Sequence, residues 1–162
     1  MAIRNIRERD EAVLYKISKE VTSITDSTKE LIDDMLETLY DADGVGLAAP
    51  QVGVLKRIVV IDAGEDYMDE PLIMINPKIL ETSGEQEGYE GCLSVPGKSG
   101  MVKRPNYVKA EYMDEDMNIC VVEGEELLAR ALLHEIDHLD GHLYVEKVVG
   151  TLKDVNYDED EE

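Results

Sequence analysis

The segment "HEIDHLDG", residues 134–141, has residue types and a spacing that suit metal chemistry. On a helix, side chains four residues apart lie on one face, so His134 and His138 can bind the same ion. Glu135 follows the first histidine, where its carboxylate can reach a water molecule on the ion rather than the ion itself. Because two ligands do not complete a site, a third protein ligand must come from elsewhere in the chain.

The residues alone leave the third ligand open. A downstream carboxylate, from Glu146 or the charged C-terminal segment, would indicate a zinc peptidase, but Glu146 follows Gly141 too closely to lie on a separate helix. An upstream thiolate from Cys92, in the Gly- and Pro-rich segment "EGYEGCLSVPG", would suit iron, zinc, cobalt or nickel. A different possibility is that the protein is a non-catalytic metal-binding module. The metal sites of such modules are usually closed by four protein ligands, and only three candidate ligands are present here.

A second segment, "GVGLAAPQVG" at residues 44–53, combines small residues with an amide side chain. Its glycines and alanines allow another backbone to come close, and Gln51 offers a neutral hydrogen-bond donor. Taken alone, this segment is better explained as an ordinary loop between a helix and a strand.

Two helices are predicted to position these segments. Residues 25–44 have apolar side chains at helical spacing, and Ser27 with Glu30 has the pattern of a capping box. The apolar positions of this first helix are Leu31, Met35, Leu36 and Leu39. Residues 125–141 predict the second helix, with Gly141 as its left-handed C-terminal residue. Its expected buried stripe consists of Leu127, Leu128, Ala131, Leu132, Ile136 and Leu139.

Short apolar runs predict four strands, at residues 56–63, 71–80, 106–114 and 118–125. The last two are expected to form an antiparallel pair around a turn at Asp114 to Asn118. Because helices and strands do not alternate as repeated βαβ units, the predicted fold class is α+β, with the second helix packed against a mostly antiparallel sheet.

Composition narrows the possible partners. The chain has 162 residues, enough for one domain, with 16 basic and 37 acidic residues and a formal charge of −21. This charge disfavours nucleic acid or an anionic membrane as a partner, and no apolar run approaches the ~20 residues that span a bilayer. The charged N-terminus lacks a secretory signal, which predicts a cytoplasmic protein with Cys92 and Cys120 as thiols.

We expect one domain over 1–152 and an acidic, disordered tail over 153–162.

Together, "GVGLAAPQ", "EGCLS" and "HEIDH" resemble the three motifs of the peptide deformylase family, in the same order and with a complete match to each. The similarity extends from the first helix to "HLDGHLYV" and covers most of the chain. The resemblance implies a hydrolase that removes the formyl group from the N-terminal formylmethionine of new bacterial or organellar polypeptides and releases formate. It also implies an α+β fold, with mostly antiparallel sheets packed around a central metal-binding HExxH helix.

The resemblance implies a complete site. Cys92 would be the third metal ligand beside His134 and His138, with water in the fourth position. The family most often uses ferrous iron, and zinc, nickel or cobalt can substitute. Metal-bound water would attack the formyl carbon while Glu135 acts as general base and then acid.

The remaining implied roles concern the substrate and the support of the site. Gln51 and the backbone N–H of Leu93 would stabilise the oxyanion, and Glu90 would pair with Arg104 to hold the Cys92 segment. The residues expected to contact substrate are Gly46, Val45, Leu127 and Ala131.

Some positions depart from the family pattern. Gly88 stands where some relatives carry a branched aliphatic residue, and Arg130 is also atypical. The shape of the pocket that would take the methionine side chain of the substrate is therefore left open. His142 matches no ligand position and is expected at the surface. The acidic C-terminus gives no support for ribosome contact.

Overall fold

The computed structural model describes residues 2–155 and contains two α-helices and eight β-strands within them. The helices are α1 (Asp26–Asp41) and α2 (Glu126–Leu139). The strands are β1 (Gly46–Ala48), β2 (Ile58–Ile61), β3 (Leu72–Ser83), β4 (Gln86–Cys92), β5 (Val95–Arg104), β6 (Tyr107–Met113), β7 (Ile119–Glu125) and β8 (Lys153–Asp154).

The strands form two sheets, and the paired strands are antiparallel in both. The larger sheet has the order β1-β2-β3-β6-β7, and the smaller has the order β4-β5-β8. The predicted pairing of the last two long strands is present as β6 and β7, with Met113 opposite Ile119. The α+β class with antiparallel sheets is therefore confirmed.

Helix α1 covers one side of the larger sheet with its apolar stripe. Leu31, Met35 and Leu39 are fully or almost fully buried, and Leu36 packs partly buried against the same core. The observed capping box lies two residues before the predicted one. Thr25 is the N-cap and forms the box with Thr28, so the prediction of Ser27 and Glu30 was wrong. Both threonines have hydroxyl groups that can satisfy the free N–H groups of the first turn.

Helix α2 packs against β1, β2, β6 and β7, which all belong to the larger sheet. Leu128, Leu132 and Leu139 join a core with residues of β2, β3 and β6. Gly141 ends the helix with a φ of 81°, and a Cβ there would lie 2.6 Å from the carbonyl oxygen of Tyr15. Glycine is thus required at this position for both conformation and space.

The Gly- and Pro-rich segment at residues 87–97, which was not among the predicted strands, contributes to two strands. Strand β4 ends at Cys92, and β5 begins at Val95, which pairs with Cys92 across a short connection. Glycines within both strands weaken the sequence signal for β-structure, because glycine has no side chain to produce an alternating pattern. Because β4 pairs with β5, Cys92 lies at the end of a paired strand with a fixed backbone rather than on an isolated loop.

At the C-terminus, Lys153 and Asp154 pair with Ser99 and Lys98 of β5. These two residues fall beyond the predicted domain end at 152, and the rest of the predicted acidic tail, from residue 156, lies outside the described residues. Within residues 2–155, neither helix is both long and apolar enough to span a membrane.

Candidate active site

Three separate parts of the chain meet at one place: the end of β4, helix α2 and a short segment that follows β1. Cys92 comes from the end of β4, while His134, Glu135 and His138 lie on the buried side of α2. Gln51 belongs to a short 3-10 helix, Ala49–Val52, that follows β1. Helix α2 supplies its residues through local periodicity, whereas Cys92 and Gln51 come from distant parts of the chain and meet the helix only through tertiary contacts.

The cysteine and the two histidines form a compact group of metal-ligand atoms. Their ligand atoms all lie within 4.8 Å of one another, and Cys92 Sγ is 3.3 Å from His138 Nε2. Two ligands of a tetrahedral ion, each about 2.0–2.3 Å from it, lie roughly 3.3–3.6 Å apart. The donor set of one thiolate and two imidazoles therefore fits a divalent transition metal and leaves one position open.

The Glu135 carboxylate lies beside this group without joining it. Its Oε2 is 3.9 Å from His134 Nε2, and its Oε1 is buried without a hydrogen-bond partner among the described residues. Burial is the main cause that raises the pKa of Glu135 to about 7. A carboxyl group in this environment can accept a proton and release it again near neutral pH.

Gln51 is held by contacts at both ends of its amide. Its Oε1 accepts a hydrogen bond from the Ala48 backbone N–H at 2.9 Å, and its Nε2 donates to Ser94 Oγ at 3.0 Å. The same Nε2 is 3.5 Å from Cys92 Sγ. These contacts fix which end is the donor and place it next to the candidate metal ligand. Leu93, one residue after Cys92, lines the adjacent cavity.

Glu90 supports both the β4 strand and the first histidine. Arg104 donates two hydrogen bonds to its carboxylate, at 2.8 and 2.9 Å, and His134 Nδ1 lies 2.8 Å from Oε1. Burial opposes ionisation, but the hydrogen bonds from Arg104 and His134 outweigh it and lower the pKa of Glu90 to about 2. A carboxylate at Nδ1 keeps the proton on that nitrogen and leaves Nε2 of His134 free to bind a metal.

Several contacts around Glu90 were not predicted from the sequence. Arg104 also donates to Asp137 at 2.9 Å, and Arg130 donates to Glu90 at 2.7 Å. The ring of Tyr144 stacks on that of His134, with centroids 5.9 Å apart. Asp137 and Arg130 lie at helical spacing from His134, which was an available signal, whereas nothing in the sequence pointed to the position of Tyr144.

A cavity of about 340 Å³ opens beside His134 and Glu135. Val45, Leu127 and Ala131 line it, together with Gly46, Gly44 and residues 89–93. Leu127 was also predicted to be buried in the α2 stripe, and this was wrong, since 37% of its surface is exposed at the cavity. The N-terminal turn of α2 therefore forms a wall of the cavity rather than part of the core.

Other candidate residues lie away from the group. The Glu146 carboxylate accepts a hydrogen bond from the Leu143 backbone N–H and lies 3.4 Å from His142, whose side chain is exposed. It is not among the described residues that could hold a metal together, which disfavours the zinc peptidase alternative. Cys120 is on β7, and both cysteines are free thiols as expected.

Comparison with known proteins identifies the family. A sequence model of the family described as polypeptide deformylase matches residues 3–154. The chain belongs to this family. The resemblance that three short motifs suggested is therefore confirmed over nearly the whole length of the chain.

Curated relatives carry the same name. A peptide deformylase of Agathobacter rectalis is 64% identical over 162 residues, covering 100% of both chains. A peptide deformylase of Clostridium botulinum is 56% identical and covers 91% of this chain and 97% of its own.

Solved deformylase structures share the fold. A peptide deformylase from Legionella pneumophila superposes with a TM-score of 0.87 at 44% identity, covering 91% of this chain and 86% of that one. A peptide deformylase from Ehrlichia chaffeensis, solved in complex with actinonin, has a TM-score of 0.88 at 39% identity, covering 92% and 90% of the two chains. This deformylase chain is thus similar to enzymes in both sequence and three-dimensional structure.

Proposed function

We propose that this chain removes the formyl group from the N-terminal formylmethionine of newly made polypeptides and releases formate. Membership of the deformylase family supports the activity. The observation that carries the site assignment is the convergence of Cys92, His134 and Glu135 at one cavity, with His138 completing the ligand group. Each residue has a separate part in the proposed reaction.

Cys92, His134 and His138 hold one divalent ion, with ferrous iron as the native metal and zinc, nickel or cobalt as substitutes. This assignment of iron rests on the family resemblance, since the donor set itself suits all four metals. A metal in this position supplies Lewis-acid activation of water and polarisation of the formyl carbonyl.

Glu135 moves the proton. Its carboxylate takes a proton from the attacking water and later delivers it to the amine that leaves. A pKa of about 7 supports both steps, because the group can be present in either protonation state at neutral pH. Oε1, which has no hydrogen-bond partner within residues 2–155, supports the same role, since it is free to meet a water molecule.

Gln51 and Leu93 stabilise the negative charge that forms on the formyl oxygen. The Gln51 amide is preorganised by Ala48 and Ser94, so little free energy is spent on orienting it during the reaction. The backbone N–H of Leu93 is the second proposed donor. Loss of one such donor typically costs ~2.7–4 kcal/mol in transition-state stabilisation.

The cavity beside Glu135 takes the methionine side chain of the substrate. Its apolar wall includes Val45, Leu127 and Ala131, which suits an unbranched thioether side chain. The formyl carbon carries only hydrogen, so a narrow space between "GVGLAAPQ" and "GCLSV" would admit it and exclude a full residue. The polypeptide is the only partner proposed, since the acidic composition favours neither nucleic acid, membrane nor ribosome contact.

Formate release tests the proposal directly. We expect rapid release from formyl-Met-Ala peptides, far slower hydrolysis of acetyl-Met peptides, and no cleavage of unblocked peptides. Cleavage of an internal peptide bond at a comparable rate without formate would support the peptidase alternative and contradict the proposed function. A protein that binds metal and hydrolyses neither substrate would instead be a binding module.

The metal assignment has its own test. The ferrous form should lose activity in air, because a thiolate beside a redox-active ion is readily oxidised. The nickel form should persist under the same conditions. Equal lifetimes of the two forms in air would contradict this account.

A further inference from the structure

Arg130 is a buried arginine at the wall of the cavity. It lines the cavity, and only 8% of its surface is exposed. Its Nη1 donates to Glu90 Oε2 at 2.7 Å and lies 3.3 Å from two backbone carbonyl oxygens, those of Gly88 and Val102. Its Nη2 donates to Gln86 Oε1 at 3.2 Å. These contacts anchor the guanidinium against β4 and β5 rather than in bulk solvent.

Gly88 is the residue that makes room for this guanidinium. A Cβ at residue 88 would lie only 2.9 Å from Arg130 Nη2 and 3.3 Å from its Cζ. The arginine therefore occupies the space that a side chain on β4 would otherwise fill. As a result, a charged, planar donor group stands at this part of the cavity wall.

The guanidinium has donor capacity beyond its protein contacts. It carries five N–H groups. The Nη1 hydrogens are used by Glu90 and the two carbonyls, and one Nη2 hydrogen is used by Gln86. Among the described residues, neither Nε–H nor the second Nη2–H has an acceptor. A ligand in the cavity is the natural source of one, because Arg130 is part of the lining.

Arg130 and the candidate metal ligand His134 lie on the same helix and line the same cavity. Arg130 lies four residues before His134, about 6 Å along the helix axis. Glu90 connects the two, with contacts of 2.7 Å to the guanidinium and 2.8 Å to the imidazole. A side chain that starts near the metal ligands and extends along α2 toward Leu127 therefore passes the guanidinium.

We propose that Arg130, given space by Gly88, is a specificity-determining residue that selects substrate side chains with a hydrogen-bond acceptor in their outer half. This inference rests on the proposed deformylase function and deepens it. Methionine has a weak acceptor in its thioether sulfur, methionine sulfoxide has a strong one, and the similarly shaped norleucine has none. The pocket therefore tolerates oxidised formylmethionine, which a wholly apolar pocket would reject.

The test compares three substrates within one enzyme. Formyl-Met-Ala-Ser, its norleucine analogue and its sulfoxide analogue are assayed for kcat/KM by formate release, with wild type and Arg130→Met. A hydrogen bond to a charged donor typically corresponds to a factor of ~10–100. We expect the ratio of sulfoxide to norleucine to fall by that factor in Arg130→Met. Because both kcat/KM values in the ratio come from the same enzyme variant, any general loss of activity caused by disturbing Glu90 cancels.

Two further variants make the result decisive. Gly88→Ala retains Arg130 but displaces its guanidinium, so the ratio should fall here as well, even if Arg130→Met does not fold. Leu127→Ala changes an apolar part of the same wall and should lower kcat/KM for all three substrates while leaving the ratio unchanged. An unchanged ratio in Arg130→Met, or in Gly88→Ala where Arg130→Met is unfolded, would overturn the inference. Absence of formate from every substrate in wild type would instead reject the proposed function.

Discussion

Gly46 lies directly against the carboxylate of Glu135. A Cβ at residue 46 would be 2.6 Å from Oε2 and 2.7 Å from Cγ of the glutamate. Real Cβ atoms do not approach other atoms this closely, so glycine at this point of β1 is the condition for Glu135 to occupy its observed position. The glycine proposed to lie against the substrate thus also makes room for the proposed general base.

Gly46→Ala should therefore impair catalysis by displacing Glu135. A shift of about 1 Å in a reacting group can cost ~100-fold in rate, and we expect a loss of that order in kcat/KM with unchanged metal content. In a Glu135→Gln background the same substitution should cost much less, since the displaced group no longer transfers a proton. Equal losses in both backgrounds would mean that Gly46 acts through another contact.

Glu135→Gln should separate metal binding from turnover. Because Glu135 is not a proposed ligand, the variant should keep its metal, measured by elemental analysis, while kcat falls by ~10²–10⁴-fold. Loss of the metal together with activity would indicate that Glu135 is itself a ligand. A near wild-type rate would remove it from the proton-transfer role.

Cys92→Ala should abolish tight metal binding, because two histidines alone provide an incomplete ligand set. Cys120→Ala is the matched control, since Cys120 is the other free thiol and lies on β7 away from the ligand group. Equilibrium dialysis with cobalt or zinc gives the measurement. Unchanged affinity in Cys92→Ala would exclude its thiolate from the site.

Arg104→Met should destabilise the protein, because it leaves the buried Glu90 carboxylate without its bidentate partner. Removing one member of a buried pair typically costs 3–5 kcal/mol; Arg130 and His134 still contact Glu90, so we expect about 3 kcal/mol. The control is Lys103→Met, whose exposed pair with Glu87 should contribute at most ~1 kcal/mol. Denaturant unfolding of both variants gives the comparison, and similar midpoints would contradict the supporting role of Glu90 and Arg104.

The N-terminal segment, residues 2–4, should stabilise the folded protein through its contacts with the Asp34 carboxylate. This carboxylate accepts hydrogen bonds from the Ala2 backbone N–H at 2.7 Å and from Arg4 Nε at 2.9 Å. Burial opposes ionisation, but these bonds outweigh it and hold the pKa of Asp34 below its ordinary value of 3.8. The contribution is therefore complete above that ordinary value and is lost as the pH falls through the lower folded-state pKa.

Asp34→Asn should accordingly be less stable than wild type near pH 7, and the difference should shrink at low pH. The exposed neighbour Asp33 gives a matched control, because Asp33→Asn changes the charge equally without altering these hydrogen bonds. The free energy of unfolding is measured for all three proteins between pH 2 and 7. A pH-independent difference between Asp34→Asn and wild type would contradict the linkage to ionisation.

The sequence by itself determined the parts of this protein that depend on local periodicity. The two helices, their main buried residues and the four apolar strands follow from spacing, and so does the pairing of His134 and His138 on one face of α2. Gly141 was identified as a helix end because a left-handed conformation there requires glycine. Three motifs in order were enough to identify the family, because chance agreement at all three is very improbable.

Tertiary structure decided what depends on contacts between distant segments. From the residues alone, Cys92 and a downstream carboxylate were both possible third ligands, and only the packing of β4 against α2 brings Sγ to 3.3 Å from His138. The strands β4 and β5 were missed because their glycines remove the alternating pattern. Those same strands give Glu90 and Arg130 their partners. Such contacts join residues that are far apart in the chain, so no local pattern encodes them, and they exist only when the sheets and the helix are packed together.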